Sequence, residues 1–243
     1  MKRWLLLTLL AIVISAGAWA ALRQRAAKPQ PLNIHFTCDV RGRLVPCGCF
    51  TGQMGGLTRI ATLVGQGKTA DALKVDIGNA IEGPEDYQRI EHRYILKAFE
   101  RLGYEAANLG HGEAQLSLQH LRELKAGAPV PLLSANLLEN ATSQPVFDTH
   151  RIVQRGDFRI ALIGAMSADG VRNMLGEGLR VEPIDATLGR LLPTLKDKAD
   201  FIVLLAFADE EEMRRLARDF YELDVILGGK VSQPSQQLVR ENR

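Results

Sequence analysis

IHFTCDVRGRLVPCGCFTGQMGGLTRI, residues 34–60, is the stretch whose reading decides the fold. An apolar run closes on Cys38-Asp39, a loop follows with Cys47-Gly48-Cys49, and Gly55-Gly56 opens a helical pattern at Leu57, Ile60, Ala61 and Val64. The loop from Val40 to Gly56 holds five glycines and one proline, so no regular element is expected in it. All three cysteines of the chain lie inside this stretch.

The same grammar of strand, loop and helix repeats outward. Ala72–Asp76 reads as a second strand, running into Gly78-Asn79. A helix follows with Tyr87, Ile90, Tyr94, Ile95, Ala98 and Leu102 on one face and a stop at Gly103. Glu105–Leu109 is a third strand, ahead of Gly110-His111-Gly112-Glu113. Leu116–Leu124 reads as a helix and Val130–Ala135 as a fourth strand. Phe147–Val153 and Phe158–Gly164 are expected to pair about the turn Arg155-Gly156-Asp157, and residues 165–183 to form a loop. Beyond them come a helix over Thr187–Leu195, weakened by Pro193, a strand at Phe201–Ala206, a helix over Asp209–Phe220 and a strand at Leu223–Leu227. Apolar strands alternating with amphipathic helices predict a layered α/β domain, whose sites lie just beyond the strand ends.

The 243 residues, 46% hydrophobic, suffice for one substantial core. Lys2 and Arg3 account for the formal charge of +2 and leave the remainder balanced, which argues against a nucleic-acid partner. Residues 1–20 carry a basic start, an apolar run and the small-x-small triplet Ala18-Trp19-Ala20, the pattern of a signal peptide. The alternative is an uncleaved anchor reaching to about residue 22, the only membrane contact expected. Trp4–Leu22 is 19 residues without a charge, against the ~20 that span a bilayer. Either way the protein is expected outside the cytoplasm, in the periplasm or on the outer face of the cytoplasmic membrane. Residues 21–31 read as a tether and 32–243 as the domain.

Two groups of residues carry chemistry. Cys47 and Cys49, with Cys38 as a third ligand and His111 as a fourth, suit a soft or borderline transition metal such as copper, zinc or iron. In an oxidising compartment the same sulfurs suit thiol redox chemistry, or a structural disulfide between Cys38 and one of the pair. Asp39, Asp76, Asn79, His111 and Glu113 each follow an apolar strand and would converge at one sheet edge, where carboxylates and an imidazole can hold a cation.

In order along residues 32–230, the blocks Thr37-Cys38-Asp39-Val40-Arg41-Gly42, Gly55-Gly56-Leu57-Thr58-Arg59, Asp76-Ile77-Gly78-Asn79, Gly110-His111-Gly112-Glu113, Leu133-Ser134-Ala135-Asn136 and Asp224–Gly229 resemble the amino-terminal metallophosphoesterase (calcineurin-like) domain of exported 5′-nucleotidases. The resemblance implies a four-layer α/β/β/α sandwich with two metals at the strand ends, hydrolysing phosphate esters through metal-bound water. It also implies that most of that machinery is missing. Asp39 and Asp76 match ligand aspartates and Asn79 keeps its block's polar end. Arg41 stands at a ligand histidine's place, His111 at the ligand asparagine's or its neighbour's and Gly112 at the acid-base histidine's. Phe207 falls where another ligand histidine is expected, and Lys230 and Ser232 replace the final Gly-His-x-His pair. The metal-ligating candidates are therefore Cys38, Asp39, Cys47, Cys49, Asp76, Asn79 and His111, with no catalytic residue assigned. In relatives further strands follow the Gly-His-x-His turn, so either a sandwich short of its last strands, covered by a protein partner, or a chain that continues beyond Arg243 is expected. The leading functional expectation is an exported phosphoesterase-like protein without normal two-metal activity, its cysteine loop holding a soft metal or performing thiol chemistry. The alternatives are a residual phosphoesterase with one metal on Asp39, Asp76, Asn79 and His111, and a non-enzymatic binding or scaffold protein.

Overall fold

The computed structural model describes residues 32–46, 48, 55–65, 72–230 and 239–241. The signal segment, the tether, Cys47 and Cys49, and Ser232 lie outside the described residues. Among the described residues, no helix is long and apolar enough to cross a membrane.

Two four-stranded sheets lie face to face. The first runs β1 (Ile34–Thr37), β2 (Leu73–Asp76), β3 (Ala106–Asn108), β4 (Leu132–Leu133), all parallel. A two-stranded antiparallel pair joins β5 (Leu137–Glu139) to β8 (Leu179–Val181). The second sheet orders β10 (Val225–Gly228), β9 (Phe201–Phe207), β7 (Phe158–Met166), β6 (His150–Arg155), with β6 antiparallel to β7 and the others parallel.

Side-chain alternation explains why the strands read as unbroken apolar runs. On β7, Ile160 and Leu162 face the first sheet, while Ala161, Ile163 and Ala165 face the other way. On β9, Val203 and Leu205 point in, while Ile202, Leu204 and Ala206 point out. The inner layer closes on Leu73, Val75, Ala106 and Leu133 of the first sheet. Helices α4 (Ile184–Leu195) and α5 (Glu210–Asp219) cover the outer face of the second sheet through Ile184, Leu188, Leu192 and Leu216. Helices α2 (Asp86–Leu102) and α3 (Leu118–Gly127) cover that of the first through Ile95, Leu96, Phe99 and Leu121, and α1 (Leu57–Gly65) lies beside α2. Both sheets are buried on both faces, which gives four layers, α/β/β/α.

Two local expectations need correction. The inward face of α2 is His92, Ile95, Leu96 and Phe99, whereas Tyr87, Ile90 and Tyr94 are exposed. His92 supplies the register, and a count of apolar residues alone passes it over. The loop over 165–183 contains β8, whose three residues pair with β5, a strand too short to show a period. Pro193 sits in the last turn of α4, as expected, where it removes the N–H that would bond to the carbonyl four residues back. Elsewhere caps set the ends. Glu85 and Gln88 form a capping box on α2, Gly103 ends it in the left-handed region at φ 74°, and Asp209 accepts the Glu212 N–H at 2.9 Å to start α5.

Candidate functional site at the strand ends

Parallel strands deliver their following loops to one edge. Asp39 stands two residues beyond β1, Asp76 ends β2, and His111 lies three residues beyond β3. The second sheet brings Ser167, Phe207 and Gly229-Lys230 to the same place. The His111 Nε2 donates to the Ser167 carbonyl at 3.0 Å, and its ring meets Phe207 edge-on at 5.1 Å. Asp39, Arg41 and Asn79 all have positive φ (58°, 47° and 63°), a concentration of unfavourable backbone typical of sites rather than of plain turns.

Glu113 holds the loops together. Its buried carboxylate accepts N–H groups from Gly110 at 2.8 Å, Asn79 at 3.2 Å and Ile81 at 3.0 Å. It is an anchor for the loops after β2 and β3, a role that spacing alone does not separate from ligation. Asn79 joins the same loops, its Oδ1 accepting Gly112 N–H at 2.6 Å and its Nδ2 donating to Asp39 Oδ1 at 2.5 Å. The Arg41 Nε donates to that same Asp39 oxygen at 2.7 Å. Asp76 is fully buried, and accepts the Thr37 hydroxyl at 2.5 Å and the Gly78 N–H at 2.9 Å on its two oxygens. Thr37 and Ser167 are site residues that the sequence did not single out. Nothing in their local pattern sets them apart.

Burial drives the electrostatics. It pushes the Asp76 carboxyl well above the usual range, helped by the charges of Glu113 and Asp39 against the Thr37 and Gly78 hydrogen bonds. The His111 imidazole is lowered by burial and by Lys230, against the hydrogen bond to Ser167. Cys38 carries a free thiol. Its Sγ sits 3.8 Å from the Gly78 carbonyl and packs so closely on Gly229 that a Cβ there would stand 2.1 Å from the sulfur. Burial, then the negative charges of Asp76, Asp39 and Glu113, push this thiol far up. With Cys47 and Cys49 replaced by serine, native Cys38 should therefore react with iodoacetamide at pH 8 at least ~100-fold more slowly than in urea. Equal rates, read by mass spectrometry, would show that the thiol is not shielded.

The structure thus gathers Cys38, Asp39, Asp76, Asn79 and His111 at one edge, while Cys47 and Cys49 fall outside the described residues. These donors do not fit two metals. Among the described residues, no group of three or more His, Cys, Asp or Glu side chains converges as a metal site. One Asp39 oxygen is bound by the Arg41 guanidinium and the Asn79 amide, and His111 turns its Nε2 to a backbone carbonyl. Gly112 leaves no room for an imidazole, since a Cβ there would lie 2.3 Å from the Ile81 carbonyl oxygen and 2.8 Å from Asn79 Oδ1.

No family profile matches the chain. It is 26% identical over 226 residues to the 2′,3′-cyclic-nucleotide 2′-phosphodiesterase/3′-nucleotidase of Salmonella typhimurium, covering 82% of this chain and 34% of that protein. The chain spans about a third of the length of the curated relatives it matches. Its fold is that of the 5′-nucleotidase precursor of Thermus thermophilus, with a TM-score of 0.70 and 24% identity over 86% of this chain and 44% of that one. It is also that of the calcineurin-like phosphoesterase YfkN of Bacillus subtilis, with a TM-score of 0.65 and 20% identity over 81% and 71%.

Proposed function

We propose, on the premise of a distant but broad match to the calcineurin-like 5′-nucleotidase superfamily, that this chain is an exported protein that keeps the fold without two-metal ester hydrolysis. The observation that carries the reading is the Asp39–Arg41 pair. A guanidinium tethered two residues away supplies positive charge to the carboxylate that would otherwise face a metal. A second cation, Lys230, follows β10, and its charge reaches His111. Hydrolysis also needs a proton donor to the leaving group, and Gly112 has none. The protein assayed with p-nitrophenyl phosphate or AMP and Mn²⁺ or Zn²⁺ should stay at the buffer background, with Asp39→Asn no different. Turnover above background that Asp39→Asn abolishes would overturn the reading and restore a residual phosphoesterase.

A second reading is favoured by where Cys38 lies, at the same strand ends as Asp39, Asp76 and His111. In it Cys38, Cys47 and Cys49, with His111, hold one copper, zinc or iron ion or exchange disulfides. Protein purified anaerobically would then carry about one equivalent of metal, lost in Cys47→Ser. Metal-free protein with all three cysteines dispensable would leave a binding or scaffold protein. The signal-like residues 1–20 support a location in the periplasm or on the outer face of the cytoplasmic membrane.

A further inference from the structure

Away from the strand ends, a cleft of about 370 Å³ opens between α2 and α3. Volumes of this order suit a small ligand. Its α2 wall carries Arg89 and Arg93, one helical turn apart on the same face. Like charges at that spacing repel, and a bound anion between them would relieve it. Arg89 is already aimed. Its Nη2 is paired with Asp86, and its Nη1 lies 2.7 Å from His120 Nε2. Ser117 Oγ accepts the His120 backbone N–H at 3.3 Å and lies 3.0 Å from Nδ1. Arg89 Nη1 also lies 3.0 Å from Nδ1, so the imidazole holds the guanidinium at the cleft wall. Arg93 makes no ion pair among the described residues. Glu123 is the carboxylate in the lining, and it accepts from Gln119 Nε2 at 3.1 Å.

The floor adds an imidazole. His92 lines the cleft at 3% exposure. Its closest charged neighbour is Glu113 Oε1, at 3.7 Å from Nε2. A ligand oxygen in the cleft would give the imidazole a hydrogen-bond partner. Beside it, Leu96, Leu116 and Leu124 make an apolar wall.

We propose that this cleft binds a small oxyanion, a carboxylate or a phosphate, carried on an apolar or aromatic group. Arg89 and Arg93 take the oxyanion, His92 donates from below, and the leucines hold the apolar part. The proposal is independent of the reading of the strand ends. Occupancy would also be felt there, because His92 borders the carboxylate that anchors the Asn79, Ile81 and Gly110 N–H groups.

Titration calorimetry of the whole protein with phenyl phosphate and with benzoate tests this, the pair telling tetrahedral from planar anions. Saturable millimolar or tighter binding of either probe is expected, weakened about tenfold or more by Arg93→Gln. Arg93 is exposed, so its variant should fold normally, and an unchanged melting temperature checks this. Benzyl alcohol, which lacks the charge, should not bind. Absence of saturable binding, or equal binding by Arg93→Gln, overturns the proposal. So does binding lost in Lys230→Gln but kept in Arg93→Gln, which would move the anion to the strand ends.

Discussion

Asn108→Asp should lose about 3–5 kcal/mol of folding stability, the cost of an uncompensated buried charge. The Asn108 side chain, 2% exposed at the end of β3, turns its Nδ2 toward three carbonyl oxygens: Ile77 at 2.7 Å, Ala165 at 2.9 Å and Leu205 at 3.0 Å. The first follows β2 in one sheet, while the others belong to β7 and β9 in the opposite sheet. A single amide therefore ties the two sheets together next to the site. Its Oδ1 is buried without a partner, which rules out the flipped amide, since that would place oxygen against three oxygens. Aspartate is nearly isosteric but imposes that arrangement. Asn108→Ala removes the donor without adding charge and should cost less, about 2–3 kcal/mol. Urea unfolding followed by circular dichroism would rank them. An aspartate variant as stable as the alanine one would show that the amide is not the tie.

Asp76→Asn should stabilise the protein at neutral pH, on the order of 2 kcal/mol, because asparagine is buried without first having to take up a proton. The sign follows from the raised native pKa of Asp76. Above about pH 4 an ordinary carboxyl in the unfolded chain has lost its proton, while buried Asp76 still holds one. The native state then binds more protons than the unfolded state, so stability falls as pH rises, until Asp76 itself ionises. Asparagine does not titrate, and the Thr37 hydroxyl can turn to accept from its amide. The two proteins should be similar near pH 4 in EDTA and diverge towards pH 8, with the variant above. A wild type that gains on the variant as pH rises would mean that the Asp76 carboxylate is favourable as an anion.

The site was legible in sequence as a place more than as a chemistry. Asp39, Asp76, Asn79 and His111 could be assigned to one edge because each follows a strand, and strand ends of parallel sheets share an edge. Their partners could not. Arg41 bonds to Asp39 because both occupy left-handed backbone in the same turn, and no spacing rule predicts that geometry. Glu113 looked like one more ligand until its three backbone N–H donors came into view. The pairing of Asn108 with two opposite strands crosses 57 and 97 residues of chain. The cleft between α2 and α3 was hidden for a related reason, since Tyr87, Ile90 and Tyr94 drew the helix face away from His92.

By itself the sequence determined the class of fold and the end of it where chemistry belongs. Apolar runs of strand length must be buried on both faces, and glycine and aspartate after them mark where the chain turns. Tertiary structure alone decided what those residues do. Whether a carboxylate meets a metal, an arginine or a backbone N–H depends on separations of about an ångström between loops distant in sequence, and these arise only once the two sheets are packed.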